Sequence, residues 1–409
     1  MVTLLVSLLL FADTLTLYPE DAVRLALEKN FDRVEAGYQI EAAKIQSKGA
    51  FFNLLPFGSL SGNYSKYRQE GKTFDRVGYT FSVEQILFDP ERFMSYYSAK
   101  NSLKLQELSY SSLKSDIKVK TLKLFYKVLT VQEKVDYLRE AVKLSEKEYK
   151  NLKIRMELGM ATELDVLRAR INYLQNQNSL RQAEIELEQA KRELKFYIGV
   201  PEETEVSIGV KGIPYENFEV HLTKELKDSV VRAQEDLRKL LLQAEEAEWS
   251  YKKSLFSFLP RIYIGYQKTY DRLDPGYTTD YSTTGFYLNF SLNLNSYPFN
   301  VRLQKNRLQL QKFYIKRATY SIMKDLDDAY DTWKAAKLNF ELAKENEKLA
   351  DLLYKKSYEK FKAGEITSLE YFDSQVKLKE ASLRLIEARY SYYVALISLK
   401  TLLGMEVLR

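Results

Sequence analysis

Two stretches decide the fold: "MELGMATELDVLRAR", residues 156–170, and "FKAGEITSLEYFDSQ", residues 361–375. In each, a helical pattern runs into a glycine, Gly159 or Gly364. It restarts three residues later at a threonine, Thr162 or Thr367, and a carboxylate, Asp165 or Glu370, stands three further on. A glycine can take the left-handed conformation that stops a helix. A threonine with an acid three residues later is the chemistry of a helix N-cap and capping box. Each stretch therefore reads as a long helix, a tight turn and a returning helix.

The two turns belong to a larger repeat. Gly159 and Gly364, Thr162 and Thr367, Asp165 and Glu370, and Gly199 of "YIGV" and Gly404 of "LLGM" are all 205 positions apart. Pro56 of "NLLPF" and Pro260 of "SFLPR" are 204 apart. A fixed offset near half the chain length identifies a tandem duplication.

Both halves read in the same order. Residues 19–52 form a helical pattern opened by Pro19 in its first turn. Residues 57–68, 77–89, 260–271 and 283–295 read as strands. In the last, Phe286, Leu288, Phe290, Leu292 and Leu294 alternate with Tyr287, Asn289, Ser291 and Asn293, giving one apolar and one polar face. "RQEGKTFDR" and "DRLDPGYTTDY" are polar connections with Gly or Pro at turn positions. Long helical runs follow over 92–158 and 299–363. At 1.5 Å per residue such a helix reaches about 100 Å, which suits a tube rather than a globular core. The returning helices, 162–198 and 367–403, step their apolar residues by three and four: Leu180, Ala183, Leu187, Ala190, Leu194, Tyr197, and Leu383, Ile386, Tyr390, Tyr393, Ile397. That is coiled-coil packing. Four amphipathic strands placed symmetrically in the two halves are foreign to a plain coiled coil.

Composition excludes several classes. The chain has 409 residues, 45% hydrophobic and 29% charged, with a net charge of +6 from 62 basic and 56 acidic residues. No long basic cluster marks a nucleic-acid partner. The absence of cysteine removes thiol chemistry, disulfides and a lipid-bearing cysteine. One histidine, His221, leaves no histidine triad and reads as a surface residue. Catalytic residues, cofactors and a resident metal site are not expected, because no phosphate-binding glycine loop, nucleophile–base pair or metal-ligand cluster is present. The apolar run from Val2 to Ala12 has the length of a signal-peptide core and is followed by Asp13, although no basic residue precedes it; the other reading is a buried first helix. No other stretch approaches the ~20 apolar residues of a membrane helix, so any crossing of a membrane falls to strands.

On "YPEDAVRLALEKN", "NLLP", "FLP" and the twin turns "LGMATELDVL" and "AGEITSLEYF", the chain resembles the TolC family of outer-membrane efflux and secretion channels over about residues 15–405. The resemblance implies an α+β membrane protein. Three protomers would share a twelve-stranded β-barrel, four strands from each, continued by a long periplasmic α-helical barrel. Strands of ~9–11 residues cross a bilayer when tilted, and an even-numbered barrel fits the known range. The implied division is a signal peptide at 1–12, a first repeat at 13–198, an equatorial linker at 199–222 and a second repeat at 223–409. The implied partners are two further copies of the chain, outer-membrane lipid, a periplasmic adaptor, and an inner-membrane transporter of the RND, ABC or MFS class.

The resemblance also assigns roles. Gly159, Met160, Thr162, Asp165, Gly364 and Thr367 fall at the hairpin tips, where the family closes its entrance and docks the adaptor; capping alone accounts for much of the same pattern. Glu370 and Asp373 match lumen acids one turn apart, which as a threefold ring would favour cations; the plainer reading is exposed helix-surface acids. Family members latch the closed tip with a tyrosine and an arginine flanking the second glycine, and this chain has Phe361 and Ile366 there. Asp165 would need another partner, with Lys360, Lys362 and Arg155 as candidates. The alternative function is a periplasmic adaptor or structural coiled-coil protein with long helical hairpins, for which a single hairpin between unrepeated β domains is expected.

Overall fold

The computed structural model describes residues 15–69, 71–257, 259–274, 281–291 and 297–407. The stretch read as a signal peptide lies outside them, as do residues 292–295 of the last expected strand and most of the "DRLDPGYTTDY" connection. The elements run β1 (Leu15–Leu17), α1 (Pro19–Lys29), α2 (Phe31–Phe52), β2 (Phe57–Gln69), β3 (Lys72–Phe88), α3 (Pro90–Glu157) and α4 (Glu163–Ile198). The same order returns as β4 (Val206–Ile208), α5 (Lys224–Ala233), α6 (Glu235–Phe256), β5 (Arg261–Asp274), β6 (Tyr281–Ser291), α7 (Tyr297–Ala363) and α8 (Ser368–Leu402).

The long helices α3 and α7, 68 and 67 residues, each carry a proline only in the first turn and have neither Gly nor Pro beyond it. Nothing interrupts their backbone ladders. Asp89 starts α3 by accepting from the amides of Glu91 and Arg92 at 3.0 and 3.3 Å. All four long helices end in the same way. The amides of Gly159, Gly199, Gly364 and Gly404 bond three residues back, and the amides one residue later bond five back, with every glycine at φ between 68 and 76°. These are Schellman closures, two in each half.

The helical stretch 19–52 is two helices, not one. It breaks at Asn30, whose ψ of 134° leaves the helical region. The Asn30 side chain donates to the carbonyl of Tyr197 at 2.9 Å and accepts from the amide of Arg33 at 3.2 Å. The second half breaks at Gln234 between α5 and α6, and Gln234 donates to the carbonyl of Leu402 at 2.7 Å. In each half an amide side chain at the break thus holds the last turn of the returning helix, a contact that no local pattern announces. The sequence also left β1 and β4 unread. Three residues each, they pair in parallel, Leu15 opposite Val206 and Leu17 opposite Ile208, one at the start of the stretch read as the first repeat and the other inside the stretch read as a linker.

Contacts divide the chain into two compact units that do not follow the repeats, since each takes segments from both. The first unit comprises residues 15–34, 113–234 and 321–407. Its core joins Ala22, Val23 and Ala26 of α1, Leu122, Phe125, Val128 and Leu129 of α3, and Ala183, Leu187, Ala190 and Leu194 of α4. Alanines on α1 and α4 let the helices approach closely, and burial of the larger side chains from α3 drives the packing at about 25 cal/mol per Å² of apolar surface.

The second unit, residues 35–112 and 235–320, contains an antiparallel sheet in the order β2-β3-β5-β6. Leu60 opposes Phe81, Phe81 opposes Lys268, Tyr79 opposes Tyr270, and Ile264 opposes Leu288. By strand alternation these residues share one face with Phe286. Lys268 aside, these residues are apolar, and the face is open to the surroundings, with Phe286 81% and Leu288 68% exposed. The opposite face is polar and internally bonded. Ser59 pairs with Ser82 at 2.8 Å, Arg76 grips Asp271 through two bonds of 3.1 and 2.9 Å, and the Tyr287 hydroxyl donates to Glu84. Gly265 makes room for the Tyr287 ring, because a Cβ there would meet it at 2.4 Å. Apolar on one side and polar on the other, the sheet matches a barrel wall between lipid and water.

Replacing Asn30 or Gln234 by alanine strands a carbonyl at the end of α4 or α8. Each variant should lose about 1–3 kcal/mol of stability, read from thermal unfolding in detergent, whereas alanine at the exposed Gln39 should have no measurable effect.

Candidate functional site

The candidate site is the tip end of the first unit, where α3 turns into α4 and α7 into α8. Gly159 stands at φ 70° and Gly364 at φ 76°, and no heavy atom lies within 4 Å of a Cβ built on either. The glycines are therefore required by backbone conformation, with open space around them. Thr162 and Thr367 cap the returning helices. Each hydroxyl accepts from the amide three residues on, and each carboxylate, Asp165 or Glu370, accepts in return from the cap amide at 3.0 and 2.9 Å. Met160 is 75% exposed beside its glycine. The expected tip residues of each hairpin thus come together as one turn.

The two turns are also bonded to each other. Ser368 at the start of α8 donates to Asp165, and Arg168 approaches the same serine hydroxyl at 3.3 Å. Burial works to raise the Asp165 carboxyl, but the bonds from Ser368 and Thr162, with Arg168 nearby, prevail and hold it below the usual carboxylate range. None of Lys360, Lys362 and Arg155 forms an ion pair with Asp165 among the described residues; a serine hydroxyl takes that place. Phe361 and Ile366, which cannot make a polar latch, have a different use. They pack against Leu152, Ala169, Tyr371 and Phe372, with the Phe361 and Tyr371 rings stacked at 4.7 Å and 3°. An aromatic core packs the two turns together at positions where, as the sequence indicated, no polar latch can form.

Away from the tip, α4 and α8 lie along one seam whose chemistry changes with position. Toward the Gly199 end it is apolar, with Ala183, Leu187, Ala190 and Leu194 packed in one core with Leu383, Tyr390, Tyr393 and Ile397. Toward the tip the same three-and-four spacing continues through Asn176, Asn172 and Ala169. Asn172 donates to Gln375 at 2.9 Å, and Lys379 donates to Asn176 at 3.0 Å. Gln375 donates in turn to both oxygens of Glu148 on α3, at 2.7 and 2.8 Å, and the Tyr371 hydroxyl donates to the same carboxylate. Sequence reading missed Glu148, Asn172, Asn176 and Gln375. The signal was available for the asparagines, which continue the apolar steps of α4 as polar residues in core positions.

The two candidate lumen acids are exposed. The structure brings Glu370 onto Thr367 as its capping carboxylate and Asp373 onto Lys377 at 2.6 Å, and it pairs neither with the other. Among the described residues no group of three His, Cys, Asp or Glu is placed to hold a metal ion, and no helix is long and apolar enough to cross a membrane.

A sheet with one apolar and one polar face, in a chain that also carries helical hairpins far longer than a globular core needs, points to the class of outer-membrane channels. Comparison with known proteins agrees. The chain belongs to the outer membrane efflux protein family, whose description matches it twice, over residues 22–200 and 228–405. It is 23% identical over 351 residues to the alkaline protease secretion protein AprF of Pseudomonas aeruginosa, covering 82% of this chain and 71% of AprF. Its fold is similar to that of CusC, with a TM-score of 0.81, 14% identity and coverage of 95% of this chain and 92% of CusC. It is likewise similar to the Campylobacter jejuni CmeC outer membrane channel, with a TM-score of 0.79, 18% identity and coverage of 94% and 85%.

The fold is TolC-like, and the protein is an outer-membrane exit duct with a periplasmic helical extension. Its family is one of transport channels, not of enzymes, and such channels work with adaptors and inner-membrane transporters. The double family match and the four-stranded sheet set aside the reading as an adaptor or plain coiled coil.

Replacing Thr162 or Thr367 by alanine removes an N-cap and should cost about 1 kcal/mol each in thermal unfolding. The Asp165 box should weaken only in acid. Its folded pKa is depressed, so its contribution is complete above the ordinary carboxylate pKa and is lost as the pH falls through the depressed value. Asp165→Asn should abolish that acid dependence.

Proposed function

We propose that the duct is a homotrimer in which each protomer gives β2, β3, β5 and β6 to one twelve-stranded barrel. The observation that carries this is the pair of open edges. In the described sheet β2 pairs only with β3 and β6 only with β5, while one face is apolar. Unpaired edges do not persist in lipid, because each free amide and carbonyl there costs several kcal/mol. A four-stranded sheet cannot close on itself, and pairing β6 of one protomer with β2 of the next removes all the edges. Residues 1–12 are its export signal, and the repeats 13–198 and 223–409 are joined by 199–222.

In this reading the duct receives substrate from an inner-membrane transporter of the RND, ABC or MFS class through an adaptor, as part of a tripartite efflux pump or a type I secretion system. The likeness to AprF favours secretion as one of its uses. The hairpin tips built on Gly159, Met160, Thr162, Asp165, Gly364 and Thr367 dock the adaptor. Glu370 and Asp373, repeated three times, ring the lumen near the entrance. Close carboxylates in a narrow bore repel one another, so a cation between them gains more than at an isolated acid.

Crosslinking in native outer membranes should yield trimers; monomers alone would overturn the assembly. Gly159→Val and Gly364→Val should abolish export while leaving trimers intact, because a β-branched residue in the left-handed region costs at least roughly 1 kcal/mol and distorts the turn. Full export by both variants would remove the tips as the docking site. In planar bilayers the channel should select cations and be blocked by millimolar-range divalent ions. Glu370→Ala with Asp373→Ala should weaken selectivity and block together, and an unchanged block would place the constriction elsewhere.

A further inference from the structure

Glu148 lies on α3 in the first hairpin, and the groups that hold it, Tyr371 and Gln375, lie on α8 in the second. A carboxylate turned into a packed seam is usually answered by a cation. Here none answers. Lys147 and Arg155 of α3, and Lys362, Tyr354 and Tyr358 of α7, line the same cavity of about 690 Å³. Lys379 of α8 stands one turn beyond Gln375 and donates to Asn176 instead; Arg168 of α4 turns to Ser368. None of these cations forms an ion pair with Glu148 among the described residues. Its partners are neutral donors, and Gln375 is itself oriented by Asn172 of α4.

We propose that Glu148, gripped by Tyr371 and Gln375, is a proton-responsive latch that joins the two helical hairpins above the tip and tightens as the pH falls. The contact itself stands on the geometry; its consequence for flow through the duct rests on the functional reading above. Ionised, the carboxylate holds a part-buried charge with no cation in ion-pair contact among the described residues. Protonated, it can keep the bond from Gln375 and donate its own hydrogen to the Tyr371 oxygen, so the contacts remain and the charge is gone.

Burial raises the Glu148 pKa, while the bonds from Tyr371 and Gln375 oppose that rise without cancelling it. If the hairpins separate, Glu148 meets water and returns to its ordinary value. The closed pairing therefore binds the proton more tightly, and its stability declines as the pH rises through the raised pKa. The neighbours act in other windows. Asp165, depressed, favours closure except in acid below the usual carboxylate range. Lys379, lowered by burial, matters on the alkaline side. The mildly acidic interval above the ordinary glutamate pKa belongs to Glu148.

The chain has no cysteine, so labels can be placed at will. Leu164→Cys and Leu369→Cys, exposed at the starts of α4 and α8, would carry spin labels in protomers diluted with unlabelled chain. Pulsed distance measurements from about pH 8 down to about pH 5 should show the short-distance population growing, by at most about tenfold per pH unit for one linked proton. Glu148→Gln, a mimic of the neutral acid, should hold the short distance at every pH. A wild-type distribution that does not move, or a Glu148→Gln chain that follows the wild-type curve, overturns the latch. Should Glu148→Gln not fold, Tyr371→Phe removes a donor to the ionised form and should move the transition to higher pH; an unmoved transition overturns the proposal equally. Bilayer conductance of the same variants reports separately: a pH-dependent distance in a chain that does not conduct would sink the duct reading and leave the latch standing.

Discussion

Everything in this chain depends on stopping and reversing two very long helices at defined residues. A helix of 67 or 68 residues without Gly or Pro after its first turn has no internal reason to end. It ends because one glycine takes the left-handed conformation and folds its last carbonyls into a Schellman closure. The capping box that opens three residues after the glycine restarts the chain in the opposite direction. A slip of one residue at either turn would rotate α4 or α8 by about 100° and turn its buried face outward. The register of the seam, and with it the placement of every polar residue at the tip, follows from those two turns.

The seam converts that register into graded cohesion. Where Leu187 and Leu194 meet Tyr390 and Ile397, separation of the hairpins would expose apolar surface to water. Where Asn172 and Asn176 meet Gln375 and Lys379, separated groups could hydrogen-bond to water instead, so the net cost of parting is smaller. The tip end, where the proposed entrance lies, is thus the end of the seam held by the more exchangeable contacts. There the hairpins are held together by the aromatic cluster around Phe361, Tyr371 and Phe372 and by a few polar bonds that can be exchanged for water.

Duplication gives each half the same solution to the same mechanical problem. The breaks at Asn30 and Gln234 separate α1 from α2 and α5 from α6, and each is pinned by an amide bond to the last turn of the returning helix in its own half. The halves are nonetheless not independent bodies, because β3 of one pairs with β5 of the other and β1 with β4. Divergence is visible at the tips, where Asp165 bonds across to Ser368 and, among the described residues, the corresponding Glu370 bonds to its own cap.

The repeat, the long helices, the turns at Gly159 and Gly364, and the sidedness of the strands were legible in the sequence by itself. The repeat shows as a fixed offset of 205 positions, and the others are governed by neighbours a few residues apart: periods of two and of three to four, a glycine without a Cβ, a threonine three residues before an acid. The break at Asn30, the three-residue strands β1 and β4, the serine that takes the place of an expected basic partner for Asp165, and the Glu148–Tyr371–Gln375 cluster were decided by tertiary structure. Their partners lie 167 residues apart for Asn30 and Tyr197, 203 for Ser368 and Asp165, and 223 for Tyr371 and Glu148. A local pattern can say that a residue will face a seam. Which residue it meets there is set only when two distant helices are brought into register, and that registration is the work of the folded chain.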